Sequence, residues 1–256
     1  MAAALFDKVA RFYDYEQENF TRDIPFYLGY AKECKGDVLE LACGTGRILI
    51  RIAQEGMSCI GLDASRGMLD VAESKIARLN KTVQQNIELI HGTMDKFEIN
   101  KKFSLIFIAF RSFQCLLTKE QRNSCLECVR KHLDDKGIFI LDIFAPRHDY
   151  LAQQKRSFYL GEFYDKENDL HIVRRAEDEY DLAKQTVKED RFYEWTDKEG
   201  RFHRHKWSFE LYYLFRYETE LLLEKHGFKI EDVFGDFDKS PYNYYSAEQI
   251  FVARKK

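Results

Sequence analysis

A short apolar segment that ends in three evenly spaced small residues constrains this chain most. Residues 38–47 read Val-Leu-Glu-Leu-Ala-Cys-Gly-Thr-Gly-Arg, with the small residues at 42, 44 and 46. The pattern predicts a buried strand that turns sharply into a helix, because small residues let a ligand approach the main chain closely. The first N–H groups of that helix would face the ligand. The segment therefore predicts a nucleotide-binding turn.

The spacing of these small residues separates this turn from the dinucleotide-binding type. The pattern G-x-G-x-x-G places its glycines at other intervals. Here Glu40 stands two positions before Ala42, which gives the order acidic-x-small-x-Gly-x-Gly. Taken alone, the motif leaves one alternative open, a tight strand–helix turn that binds no ligand.

Strands and helices are predicted to alternate from residue 37 to residue 145. The predicted strands are 38–42, 58–63, 87–91, 103–110 and 138–144, and the helices between them are 47–55, 65–79 and 118–133, with a turn at 134–137. Strands that alternate with helices form a parallel sheet with right-handed crossovers. Residues 37–145 therefore predict an α/β fold.

The sequence pattern changes after residue 150. Residues 202–215 alternate between apolar and polar side chains with a period of two, as expected for an antiparallel strand with one face in solvent. A helix at 217–226 and strands at 228–234 and 249–253 then complete the first sheet with a hairpin. We therefore expect one domain over 1–256, with an antiparallel sheet inserted at 150–215 and a helical lid at 1–35.

The composition excludes several classes of function. A net charge of −3 gives no general attraction for nucleic acid or anionic membranes, and the basic run at 203–206 is diluted by acidic residues. No apolar run approaches the roughly 18 to 20 residues of a membrane span. The six cysteines include Cys125-x-x-Cys128, but this pair lies in a predicted helix with no second pair nearby. We expect reduced thiols, no metal site and a cytoplasmic location.

Several predicted strands end in side chains suited to a nucleoside. Asp63 ends the second strand, where a carboxylate can accept hydrogen bonds from two ribose hydroxyls. The third strand ends near Asp95, which could meet an adenine, and the fourth ends at Phe110, at the mouth where a reacting group would lie. Because parallel strands end at the same edge of a sheet, one ligand could contact all of them.

These motifs, in this order, resemble those of class I S-adenosylmethionine-dependent methyltransferases. The matching segments are 40–46, 61–63, 92–95, 110–114 and 137–142, with the late segments 223–228 and 249–253. The chain looks like the small-molecule branch and is similar to sugar amine N-methyltransferases. The resemblance implies a Rossmann-like sheet that is mostly parallel, with a C-terminal antiparallel hairpin and an inserted antiparallel sheet.

The resemblance also implies S-adenosylmethionine as the cofactor. The candidate cofactor-binding residues are Tyr13, Glu40, Ala42, Gly44, Gly46, Asp63, Ala64, Met68, Met94, Asp95 and Phe110. Thr93 stands where this branch usually has an aspartate, so the adenine contact rests on Asp95 or on main-chain groups. Cys115 stands where some relatives carry a histidine that could act as a base.

The acceptor site is expected to lie beside the cofactor. Tyr15, Arg111, Gln114 and His148 are its candidate residues, and Tyr13 and Arg111 are the candidate catalytic residues. Each has a structural alternative: the tyrosines could only stack, Arg111 could form an ion pair, and His148 could be an ordinary surface residue.

The expected activity is methyl transfer to nitrogen or oxygen of a small-molecule acceptor by in-line displacement. The cofactor supplies the reactive methyl group, and the protein supplies alignment. The alternatives are an RNA or protein methyltransferase, and a non-catalytic S-adenosylmethionine-binding module that dimerises. A homodimer through the inserted sheet is also expected.

Overall fold

The computed structural model describes residues 6–7, 9–166 and 168–256 of the chain. The helices are α1 (Ala10–Gln17), α2 (Ile24–Cys34), α3 (Leu49–Gln54), α4 (Arg66–Ile76), α5 (Lys81–Gln85), α6 (Lys119–His132), α7 (His148–Leu151) and α8 (Arg216–Lys225), with a 3-10 turn at Ser112–Cys115. The strands of the first sheet are β1 (Val38–Leu41), β2 (Cys59–Asp63), β3 (Ile87–His91), β4 (Phe103–Ile108), β5 (Leu133–Phe144), β10 (Phe228–Phe234) and β11 (Glu248–Lys255). The strands of the second sheet are β6 (Lys155–Asp165), β7 (Leu170–Asp181), β8 (Thr186–Thr196) and β9 (Phe202–Tyr212).

The first sheet has the strand order β10-β11-β5-β4-β1-β2-β3. Strands β1 to β5 pair in parallel. Strand β11 is antiparallel to β5 and pairs with β10 in an antiparallel hairpin. The predicted fold class is confirmed. The order reverses between β1 and β4, and this is where open α/β sheets bind their ligands.

Both faces of the first sheet are covered, which explains its continuous apolar strands. All four residues of β1 are buried. Leu39 packs in the layer that contains Leu126 of α6, whereas Val38 packs in the layer that contains Tyr27 of α2. Successive side chains of a strand point to opposite faces, so β1 contributes to both cores.

Gly61 of β2 offers a stability test of this packing. A Cβ atom there would lie 2.6 Å from Leu49 Cδ2 and 2.8 Å from Cys43 Sγ. We expect Gly61→Ala to lower the free energy of unfolding by about 1–3 kcal/mol, because the core would be overpacked. Urea denaturation measures the change. Gly29→Ala is the control, because that exposed helical position has nothing within 4 Å of an added Cβ, and it should be neutral or stabilising.

The predicted boundary between α6 and β5 is partly wrong. The predicted start of α6 at Thr118 is confirmed by a capping box: the Thr118 Oγ1 accepts the N–H of Gln121, and the Gln121 side chain accepts the N–H of Thr118. The expected turn at 134–137, however, belongs to β5, which begins at Leu133. Gly137 serves close packing there, since an added Cβ would lie 2.9 Å from the Phe103 carbonyl oxygen.

The second sheet is antiparallel, with the order β6-β7-β8-β9. It lies between β5 and α8 in the chain, within the predicted insertion. Trp207 and Leu211 of β9 are buried, whereas Arg204 and Lys206 are exposed, which confirms the alternation expected for this strand. In the residues that the structure describes, each helix is too short or too polar to cross a membrane.

Candidate functional site

An open cleft of about 630 Å³ lies at the carboxyl ends of the parallel strands. Seven predicted cofactor-site residues line it: Tyr13, Ala42, Gly44, Asp63, Ala64, Met68 and Met94. The structure therefore brings together residues from α1, from α4 and from the segments that follow β1, β2 and β3.

The turn after β1 has left-handed backbone at each of its small residues. The φ angles are 59° at Ala42, 56° at Gly44 and 73° at Gly46. Ala42 carries a conformation that only glycine adopts freely, a strain typical of ligand-binding turns. Gly46 does not line the cleft, and an added Cβ there would lie 3.3 Å from Ile50. The helix that follows begins at Leu49, two residues later than predicted.

Asp63 connects the turns that follow β1 and β2. Its Oδ2 accepts the N–H of Gly44 at 2.7 Å, and its Oδ1 accepts the N–H of Ser65 at 2.7 Å. Burial raises the pKa of this carboxyl, and the two backbone hydrogen bonds oppose that rise. A carboxylate oxygen can accept more than one hydrogen bond, so Asp63 can still accept two ligand hydroxyls.

Glu40 does not line the cleft. Its side chain is buried in β1, and burial raises the pKa of the carboxyl well above its usual value, with Arg47 opposing the rise. Arg47 itself forms a two-pronged ion pair with Asp23, at 2.7 and 2.5 Å. Within the described residues, Glu40 Oε2 has no hydrogen-bond partner. Its predicted contact with the cofactor stays a prediction.

Two other predicted cofactor residues also lie outside the cleft lining. The carbonyl oxygen of Asp95 accepts the hydroxyl of Ser124 at 2.6 Å, which ties this loop to α6. The ring of Phe110 packs against Phe20, with centroids 5.2 Å apart, and under the guanidinium of Arg47.

The N-terminal segment covers the cleft on one side. Phe6 and Tyr13 line it, and Tyr13 belongs to α1. Asp7 Oδ1 accepts the Ser65 hydroxyl at 2.5 Å and the N–H of Gly67 at 2.8 Å. These hydrogen bonds lower the pKa of Asp7. The segment is thus attached beside the end of β2, and its role as a lid stays a prediction.

The loop after β4 is strained and held by two buried carboxylates. Phe110 and Arg111 both have left-handed backbone, with φ angles of 53° and 66°. Asp142 accepts the N–H of Phe110 at 2.9 Å, and Glu248 accepts from Arg111 at 2.8 Å. Burial and the nearby charge of Glu248 raise the pKa of Asp142 to about 8. The pair fixes the loop that carries Ser112 into the cleft.

The four predicted acceptor residues are not brought together. Arg111 pairs with Glu248, as its structural alternative anticipated. Tyr15 stacks on Phe163, with centroids 5.4 Å apart, and His148 stacks on Phe215. Gln114 is fully buried, and its Oε1 accepts the N–H of Phe144 at 2.9 Å. Their roles toward an acceptor stay predictions.

Six residues of the cleft lining are not among the predicted site residues: Phe6, Leu62, Ser65, Gly92, Ser112 and Cys115. Of these, Leu62, Gly92 and Ser112 lie in the segments 61–63, 92–95 and 110–114 that match the family motifs. Ser65 also caps α4, and its hydroxyl accepts the N–H of Met68 at 3.1 Å. Its position two residues after Asp63 could have indicated that Ser65 lies at the cleft. Among the described residues, no three His, Cys, Asp or Glu side chains are grouped as metal ligands.

Comparison with known proteins identifies the class of this site. Residues 38–137 match a family model described as a methyltransferase domain. The chain is 26% identical to the putative methyltransferase YqeM of Bacillus subtilis over 235 residues, which are 86% of this chain and 85% of the relative. It is 29% identical over 105 residues to the dTDP-3-amino-3,4,6-trideoxy-alpha-D-glucopyranose N,N-dimethyltransferase of Streptomyces venezuelae, with 41% of each chain covered.

A solved structure shares the whole fold. The CcbJ methyltransferase of Streptomyces caelestis aligns with a TM-score of 0.83 and 21% identity, over 100% of this chain and 99% of the other. The matched domain contains the turn after β1 and the end of β2, so its match coincides with the cleft.

Proposed function

We propose that this chain, a class I S-adenosylmethionine-dependent methyltransferase, methylates an amine nitrogen of a small-molecule acceptor. The observation that carries this proposal is the chemistry of the cleft lining. Burial raises the pKa of Tyr13, and it raises the pKa of Cys115 to about 12. Both side chains are therefore protonated at neutral pH and cannot accept a proton.

An amine fits such a site better than a hydroxyl group. A neutral amine attacks the sulfonium methyl group without a base, whereas an alcohol, phenol or carboxylic acid must first lose its proton. The remaining ionisable group of the described lining is Asp63, which is already engaged by two backbone N–H groups. The Streptomyces venezuelae relative, named as an N,N-dimethyltransferase of an amino sugar nucleotide, also supports an amine acceptor.

The proposed mechanism is in-line displacement with the protein as a template. The cofactor supplies an activated methyl group. Asp63 would hold the ribose, the turn at Ala42 and Gly44 would let the cofactor approach the main chain, and Met68 and Met94 would provide apolar contact. The 3-10 turn that begins at Ser112 would form the floor on the acceptor side. Alignment of this kind contributes much of the acceleration when no proton transfer is required.

A matched acceptor panel tests the nitrogen assignment. Pairs of compounds that differ only in an amine or a hydroxyl group are supplied with labelled S-adenosylmethionine, and methyl transfer is measured against pH. We expect transfer to the amines, with a rate that rises with pH up to the pKa of each amine. A pH profile that stays the same for amines of different pKa would contradict the proposal, as would faster methylation of the hydroxyl compounds.

The ring of Tyr13 is expected to matter more than its hydroxyl. We predict that Tyr13→Phe leaves the affinity for S-adenosylhomocysteine nearly unchanged, whereas Tyr13→Ala weakens it about tenfold because the aromatic cover is lost. Isothermal calorimetry measures both variants. A large loss with phenylalanine would instead assign a role to the hydroxyl group.

The structure disfavours the nucleic-acid alternative at the basic run 203–206. Arg204 pairs with Glu194 at 2.5 Å, and Lys206 pairs with Asp190 at 2.7 Å. These acids neutralise the field that would attract phosphates. Binding of S-adenosylhomocysteine without methyl release to any acceptor would favour the non-catalytic module. A homodimer through the inserted sheet stays a prediction, which light scattering tests.

A further inference from the structure

Helix α1 lies between the cleft and the inserted sheet and contacts both. On the cleft side, Asp14 Oδ1 accepts the Thr45 hydroxyl at 2.6 Å, and Asp14 Oδ2 accepts from Lys75 at 2.9 Å. On the other side, Phe12 stacks on Tyr193 of β8, with centroids 5.1 Å apart. Tyr13 lies between Phe12 and Asp14 in the chain, and its side chain lines the cleft.

The contact with the sheet contains one buried carboxylate. The Glu16 side chain is 2% exposed, and its Oε2 lies 3.4 Å from Arg174 Nη1 and 3.2 Å from Arg191 Nη1. The hydroxyl of Tyr193 donates to Glu16 Oε1. These three partners belong to β7 and β8, so every one of them comes from the inserted sheet.

We propose that Glu16 is a positioning residue for the methyltransferase reaction, which fastens α1 to the inserted sheet and thereby holds Tyr13 over the cofactor. The inserted sheet then contributes to cofactor affinity through residues that do not line the cleft. Tyr13 and Glu16 are three positions apart, so they lie close together on the surface of α1. The inference rests on the proposed role of Tyr13 at the cofactor.

The charges explain why this attachment is strong and specific. Two guanidinium groups share the buried Glu16 carboxylate. Arg191 also pairs with Glu189, so the removal of Glu16 chiefly affects Arg174, whose partly buried charge then loses this carboxylate. The attachment through Asp14 is weaker, because its side chain and that of Lys75 are 39% and 32% exposed. We therefore expect the loss of Glu16 to release one side of α1. If the cofactor binds well only when α1 lies against the inserted sheet, its apparent affinity falls with the fraction of molecules in that arrangement.

The test compares Glu16→Gln with Glu18→Gln in the full chain. Glu18 lies just beyond α1 and is exposed, so its replacement makes the same chemical change outside the attachment. We expect Glu16→Gln to raise the dissociation constant of S-adenosylhomocysteine about tenfold, and Glu18→Gln to leave it unchanged. With an acceptor that is turned over, the KM for S-adenosylmethionine should rise more than kcat falls. An unchanged dissociation constant in Glu16→Gln would overturn the inference.

A double-mutant cycle with Tyr13→Ala separates this inference from the proposed function. If Glu16 acts through Tyr13, Glu16→Gln should have little further effect once Tyr13 is alanine. Additive losses would show that Glu16 acts by another route. If Tyr13→Ala itself leaves the affinity unchanged, the proposed role of Tyr13 fails first. Should Glu16→Gln not fold, Tyr193→Phe removes only one donor to Glu16, and a dissociation constant raised about threefold is then expected; no change would contradict the inference.

Discussion

Replacing Asp63 with alanine is expected to weaken S-adenosylhomocysteine binding by about 100-fold, which is close to 3 kcal/mol. A hydrogen bond to a charged group contributes roughly 1.5–3 kcal/mol, and the proposed ribose contact has two. The change also frees the N–H groups of Gly44 and Ser65, which now donate to this carboxylate at 2.7 Å. Both turns of the cleft would lose their common acceptor.

Calorimetry with S-adenosylhomocysteine measures this loss. Asp70→Ala is the matched control, since that carboxylate is exposed on α4 and pairs with Arg66 away from the cleft. We expect its dissociation constant to match that of the wild type. A wild-type affinity in Asp63→Ala, with the same thermal stability, would count against the ribose assignment. Adenosine binding provides a second readout, because it isolates the nucleoside from the methionine part of the cofactor.

The second large effect is a dependence of stability on pH that comes from Asp142. The pKa of this carboxyl is raised from 3.8 to about 8 in the folded chain, chiefly by burial and by the nearby Glu248. Between these values the folded state binds more protons than the unfolded state, so the free energy of unfolding falls as the pH rises. One such group contributes a slope of at most about 1.4 kcal/mol per pH unit.

Asp142→Asn is expected to remove most of this slope. Asparagine keeps an oxygen that can accept the N–H of Phe110, but it carries no charge beside Glu248. The variant should therefore be at least as stable as the wild type at pH 8. Urea denaturation at pH 5, 6, 7 and 8 measures the difference, with Asp135→Asn as a control on the exposed part of the same strand. Parallel pH profiles for wild type and Asp142→Asn would refute the assignment.

The sequence predicted the parts of the site that depend on local structure. Asp63 ends β2, and the small residues at 42 and 44 follow β1. Because these strands are parallel neighbours, the sheet alone brings Asp63 close to this turn. Ser65 and Thr118 cap helices through hydrogen bonds to residues three positions away. Such short-range patterns can be read from residue types and spacing.

The residues predicted for the acceptor and the attachment of α1 depend on contacts between distant parts of the chain. Arg111 meets Glu248, 137 positions away, and Glu16 meets Arg191, 175 positions away. Spacing along the chain carries no signal for such pairs. The fully buried Gln114 was equally hard to place, because its hydrogen-bond partner Phe144 lies at the end of β5, 30 positions later.

The edges of the inserted sheet restrict how two copies of this chain could meet. Strands β6 and β9 are its edge strands, and within the described residues neither pairs with a further strand. Strand β6 has an irregular register between Tyr159 and Gly161, and β9 carries Arg204 and Lys206 on its exposed face. Bulges and charged residues hinder continuous pairing between sheets of different molecules. Edge-to-edge pairing of two inserted sheets and fibre growth along these edges are therefore disfavoured.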